Sequence, residues 1–201
     1  MKKNLLTLTF LFIATSGLFA QGLGFGIKAG VNFANQDISG SGFAIDTKSQ
    51  VGFHAGVFFN FMFSDKLGLQ PEALFSMQGS KFDFSGFDGK QTLNYITIPV
   101  LLRYNVAEIF SLHAGPQFGL LMSAEEEFDG GDPEDIKDDF KGTDFGLAFG
   151  AEVDLPVKVG FGARYVLGLS DIVEEGGSWD GGEIKNGTFQ LYVKYKILGG
   201  E

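Results

Sequence analysis

The chain has 201 residues with no cysteine, 30 glycines, 23 phenylalanines and a formal net charge of −10. The lack of cysteine excludes a disulfide scaffold, a thiolate metal site, a cysteine nucleophile and a lipid-modified N-terminal cysteine. The acidity excludes nucleic acid as a partner, and 14% aromatic residues with only five prolines excludes a disordered or collagen-like chain.

Residues 1–20 have the layout of a secretory signal peptide. Lys2 and Lys3 form a positive start, Leu5 to Phe19 is an apolar stretch, and Leu18-Phe19-Ala20 offers a cleavage site before Gln21. An uncleaved anchor is the alternative, but the stretch is short for a membrane helix, which needs about 20 apolar residues. Cleavage leaves residues 21–201 as one domain with a net charge of −12. No later apolar run is long enough to cross a bilayer as a helix, so the exported chain is either soluble or a β-barrel.

From residue 23 onward the hydrophobic period is two, the period of strands. Leu23–Phe33 sets Leu23, Phe25, Ile27, Ala29, Val31 and Phe33 against Gly24, Gly26, Lys28, Gly30 and Asn32. Gln50–Phe63 keeps its odd positions apolar, while Leu67–Met77 opposes Leu69, Ala73 and Phe75 to Gln70, Glu72 and Ser76. Thr92–Tyr104 and Phe110–Met122 switch the apolar set to even positions, as in Ile96, Ile98, Val100 and Leu102 or Leu112, Ala114, Phe118 and Leu120. Phe145–Val153, Val157–Leu169 and Phe189–Ile197 return to odd positions.

These eight segments alternate short connections (Ser64-Asp65, Asn105–Glu108, Asp154–Pro156) with long ones (Asn35–Ser49, Phe84–Lys90, Ala124–Lys141, Asp171–Asn186). The pattern predicts an all-β fold: an eight-stranded antiparallel up-and-down transmembrane β-barrel in an outer membrane. Both termini then fall on the short-turn side, in the periplasm. A soluble barrel with its greasy face inward would alternate too. Two features favour the membrane. The polar face is largely glycine, which suits a crowded bore. Aromatics also gather near strand ends, with Phe61, Phe63, Tyr104, Phe110 and Tyr195 at one level and Phe33, Phe53, Phe145 and Phe189 at the other.

Gly26-Ile-Lys-Ala-Gly-Val-Asn-Phe33 after a leader resembles the first strand of the Bacteroidetes porin-family, or PorT-like, outer-membrane β-barrel proteins. Leu69-Gln-Pro-Glu-Ala-Leu-Phe75, Tyr95-Ile-Thr-Ile-Pro-Val-Leu-Leu-Arg-Tyr104 and His113-Ala-Gly-Pro-Gln-Phe-Gly119 resemble its third, fourth and fifth strands. The resemblance covers essentially the whole mature chain and rests on strand motifs, none of them catalytic. It implies a barrel in the outer membrane. Some members of that family assist protein secretion.

Strand parity points Lys28, His54, Glu72, Arg103, His113, Glu152, Lys158, Arg164, Lys194 and Lys196 inward. The cations outnumber the two glutamates, so the bore is expected to be net basic. It is then either an anion path or a salt-bridged plug, and an eight-stranded bore has room for side chains only, which favours the plug. His54 and His113 could form a metal or catalytic pair, but they lack the H-x-x-x-H spacing; they read as satisfied interior histidines. No G-x-S-x-G or Ser-His-Asp set is present, and Gly22-Leu-Gly-Phe-Gly opens a strand rather than a nucleotide loop. No catalytic, cofactor-binding or metal-binding residue is therefore assigned, no cofactor is expected, and an enzyme is not.

The loops carry the net charge. Between Glu125 and Lys141, nine carboxylates face Lys137 and Lys141; between Asp171 and Lys185, five face Lys185 alone. Hard oxygen ligands suit calcium, although Asp129-Gly-Gly-Asp-Pro-Glu-Asp135 departs from the calcium-loop pattern, and a solvated, mobile loop is the plainer expectation. Trp179 is either a partner anchor or a loop cap. Asn186-Gly-Thr188 fits a glycosylation pattern and is expected as a turn into the last strand. The expected role is structural or surface-interacting through acidic extracellular loops. Its partners are outer-membrane lipid and lipopolysaccharide, with calcium a further candidate. The alternatives are an accessory of a secretion or envelope-assembly system and a narrow small-solute channel.

Overall fold

The computed structural model describes residues 23–39, 47–84, 87–128, 131–174 and 182–199. Within them lie β1 (Leu23–Ser39), β2 (Thr47–Met62), β3 (Leu67–Phe84), β4 (Phe87–Asn105), β5 (Phe110–Phe128), β6 (Glu134–Asp135), β7 (Thr143–Asp154), β8 (Val159–Gly168) and β9 (Glu183–Leu198), with one 3-10 turn at Lys137–Asp139. Every pairing is antiparallel, and the order β4-β3-β2-β1-β9-β8-β7-β5 closes through β4–β5 into an eight-stranded ring. β7 accompanies β5 only as far as Leu120; above that point the two-residue β6 takes its place beside Glu125 and Glu126. No helix among the described residues is long and apolar enough to cross a membrane. The leader and Trp179 lie outside the described residues.

Alternation decides which way the side chains face. Exposed large apolar residues fall on odd positions in β1, β2, β7, β8 and, as far as Ile197, β9 (Ile27, Phe53, Phe149, Phe161, Leu191) and on even positions in β4 and β5 (Val100, Leu102, Leu112, Phe118). This is the predicted outward set. Both expected aromatic levels are outward too, with Phe33 and Phe189 6.3 Å apart across β1 and β9. The inward glycines make room for large rings. A Cβ at Gly162 would overlap the Tyr192 ring, and one at Gly26 would stand 2.5 Å from that of Phe58.

The strands are longer than the apolar pattern suggested. Six of them run 16–19 residues, whereas about 9–11 cross a bilayer. The expected loop Phe84–Lys90 is instead mostly strand, with Phe84 facing Phe87. Ala124–Phe128 and Glu183–Asn186 are likewise strand, so Asn186 is not in a turn. Beyond the apolar band the outward face also becomes polar (Asn35, Asp37, Lys81), so the hydrophobic period vanishes while the backbone ladder continues. β7 and β8 stay short, at 12 and 10 residues.

Lys158 is a correction. β8 begins at Val159, and Lys158 sits exposed in the preceding turn with φ 68°, a left-handed conformation rare for a residue with a side chain.

Candidate functional site

Two different closures occupy the barrel. The first is a charged network in the half of the bore nearer the short turns. Glu72 on β3 accepts Lys28 Nζ at 2.6 Å and both Arg164 NH groups at 2.8 Å. Glu152 on β7 accepts Arg103 at 2.9 Å, the Tyr192 hydroxyl at 2.8 Å, and Lys194. Gln70 bridges the two, donating to Glu72 at 2.7 Å and to Glu152 at 3.3 Å. Asp154 accepts a hydrogen bond from Arg103 and forms ion pairs with Lys194 at 3.0 Å and Lys196 at 3.2 Å.

Asp154 was expected in a turn. Its even number puts it in phase with Glu152 on the inward face, a signal the parity of β7 already contained. Five cations therefore meet three carboxylates, and each cation has at least one partner. The network has the form of the salt-bridged plug, and five cations to three carboxylates leave it net positive. Lys196 is only partly inside. Lys28 also lies 3.9 Å from the centre of the Tyr192 ring.

Both histidines point inward and are buried, but they serve separate partners. His54 Nδ1 donates to Asn32 Oδ1 at 2.7 Å, and Arg164 Nε donates to His113 Nε2 at 3.1 Å. Asn32 in turn donates to Ser76 Oγ at 3.0 Å and to Met77 O at 2.7 Å. Among the described residues no three His, Cys, Asp or Glu side chains converge on a metal position.

The second closure lies at the long-loop end and was not anticipated. Phe140, Ile172 and Val173 fold over the mouth against Leu93 and Tyr95 of β4, Leu121 and Ala124 of β5, and Ile184 of β9. Phe140 and Val173 form an antiparallel bridge, and backbone bonds from Lys141 to Ile172, from Ile172 to Ile184 and from Glu174 to Asp139 sew the segments together. Asp171 pins this lid. It accepts the backbone N–H of Ile184 at 3.0 Å and of Val173 at 3.2 Å, and the Lys141 ammonium at 2.9 Å. Burial alone would raise the Asp171 carboxyl, but those donors hold it below the usual carboxylate range. These loop segments are thus docked rather than solvated. Between the two closures lies a small polar pocket lined in part by Gln78, Gln117, Asp144, Asn186 and Thr188, with space for about one water. Asn186 there donates to Asp144 at 2.9 Å.

The acidic rim is hairpin rather than loose loop. Glu125 faces Asp135 and Glu126 faces Glu134, so like charges oppose one another across β5 and β6. Burial and the charges of Asp139 and Glu134 push the Glu126 carboxyl up. Asp129 and Glu175 lie outside the described residues.

A family model described as outer membrane protein beta-barrel domain matches residues 19–174. Among solved structures, the attachment invasion locus protein Ail of Yersinia pestis is similar at 18% identity and a TM-score of 0.50, over 88% of this chain and 99% of its own. Neisserial surface protein A is similar at 14% identity and a TM-score of 0.51, over 88% and 100%. At these identities the likeness is one of fold. No curated protein matches the chain.

Proposed function

The chain belongs to the outer membrane protein beta-barrel domain family, and from that premise we propose that it is a sealed barrel acting at the cell surface through its acidic rim, neither a conduit nor an enzyme. We place it in the PorT-like branch on the strand motifs quoted above. We orient it with both termini, which adjoin the short turns, in the periplasm and with the lid outward.

One observation carries this reading: the bore is blocked twice, by paired charges in one half and by an apolar lid at the other. A conducting pore would need unpaired polar walls around a continuous opening, and eight strands leave little space for one. Among the described residues, the rim presents a group of carboxylates to a partner. There, Glu125, Glu126, Glu134 and Asp135 attract cations, calcium included, more as a diffuse acidic surface than as a chelating cage.

Planar-bilayer recording of the purified full-length protein tests this reading. No discrete conductance steps are expected at any applied voltage. Steady steps that survive in the wild type would return the assignment to a small-solute channel. Capture of an envelope or secretion protein that is unaffected by Glu125→Gln/Glu126→Gln would move it to an accessory role.

A further inference from the structure

The register places three lysines in one cross-strand line. Lys48 of β2 faces Lys81 of β3, and Lys81 faces Lys90 of β4. All three are exposed, and the register shift between Ser49 and His54 turns the even-numbered Lys48 to the outward face it shares with Lys81. Directly opposed residues hold their Cβ atoms about 5 Å apart, and like charges in that arrangement destabilise a sheet. Two other cross-strand pairs near this level join opposite signs. Asp37 faces Lys185, and Lys90 at the end of the row reaches Glu127 at 3.8 Å. Among the described residues neither Lys48 nor Lys81 has a carboxylate within 4.0 Å. In a chain of net charge −10, such a row is a local concentration of positive charge to which an anionic group is complementary.

Its height says what that is. The outward apolar band ends at Val51 on β2 and Met77 on β3, and Lys48 and Lys81 follow three and four residues later. At about 3.3 Å per residue and a tilt of about 40°, the row stands roughly 8–10 Å above the hydrocarbon. The headgroup layer is about 5–8 Å deep, and lysine stems can lean down into it. The aspartates that the register pairs next, Asp83 and Asp88, lie one step farther from the bilayer.

We propose that Lys48, Lys81 and Lys90 form a phosphate-binding ladder that holds the headgroup of one outer-leaflet lipopolysaccharide against β2, β3 and β4. This rests on the outward orientation given above. It assigns the lipid contact to a basic face on the side wall, separate from the acidic rim.

The test uses the full-length barrel in phosphatidylcholine nanodiscs, with and without lipopolysaccharide, read by the temperature at which folded gel migration is lost. Lys48→Gln/Lys81→Gln/Lys90→Gln is compared with wild type and with Lys66→Gln/Lys158→Gln, which removes two exposed lysines from the short-turn end. Lipopolysaccharide is expected to raise the transition of wild type and of this control. The triple variant is expected to lose most of that gain, and dephosphorylated lipopolysaccharide to give none.

An equal gain in the triple variant overturns the proposal, as does an equal effect from the dephosphorylated lipid or from inorganic phosphate. So does a triple variant already weakened by the same amount in phosphatidylcholine alone, which would mean that the lysines pair within the chain. Orientation is checked separately. The chain has no cysteine, so Asp138→Cys gives a unique label site for an impermeant maleimide on intact cells. Labelling there supports the orientation, and its absence removes the orientation and the proposal with it.

Discussion

The two ends of the bore are closed by opposite chemistry. Near the short turns, buried ion pairs link β1, β3, β4, β7, β8 and β9 through Lys28, Glu72, Arg103, Glu152, Arg164 and Lys194. At the other end, three apolar side chains from connecting segments rest on five from the wall. The charged layer has no open alternative, because separating any pair strands a charge away from water. The lid exchanges apolar contact for solvent at a moderate cost, so it is the part of the molecule able to open locally. A barrel wall and a barrel cover thus differ in cooperativity although both are buried.

The largest expected effect breaks the charged layer. Glu152→Ala deprives Arg103, Lys194 and the Tyr192 hydroxyl of their shared acceptor. It should cost about 3–5 kcal/mol of whole-barrel stability, measured by denaturant unfolding in lipid vesicles. An unchanged midpoint would mean that the network does not tie the strands.

The second effect is local. Ile172→Ala, at a fully buried lid position, should cost roughly 2–4 kcal/mol of lid stability. Amide exchange should speed up at residues 139–142 and 171–174 while the barrel midpoint stays in place. A midpoint that falls with the lid would merge the two regions into one unit.

Asp171→Asn should be smaller, about 1 kcal/mol, because its charge-assisted bonds are partly exposed. The same amide-exchange readout applies. The Val173 and Ile184 N–H groups should lose protection first.

The smallest effect is on pH, and its sign differs at two carboxylates. The carboxyl of Glu126 is raised in the folded state, so its stabilising contribution is full in acid and fades as pH climbs through the raised value. That of Asp171 is lowered, so its contribution is full above the ordinary carboxylate range and is lost as pH falls through the lowered value. Acidification from neutrality should therefore first slow exchange in the β5–β6 hairpin and only later free residues 171–174. The reverse order would contradict both assignments.

What could be read from the amino acids follows from where a period exists. Between Phe33 and Leu23, or Leu120 and Phe110, one face must meet lipid and the other a crowded bore, so alternation names both strand and side. Above the band nothing enforces it, and Asp37, Lys90 and Glu183 looked like loop. The lid left no pattern at all. Ile136 and Phe140 are single apolar residues among charges and Ile172-Val173 a lone pair, and only the folded chain brings them to one place. Asp154 was recoverable, since two steps from Glu152 is the same side of a strand. The lysine row was not, because it depends on the alignment of three strands that no single segment encodes.

The unequal strand lengths give the molecule a direction. With β3, β4 and β5 tall and β7 and β8 low, the cylinder is cut on a slant, like a quill. At the long-loop end the strands make a wall on one flank and a threshold on the other, an asymmetric surface for anything that docks there. Neighbours in the plane of the leaflet meet an equally lopsided profile.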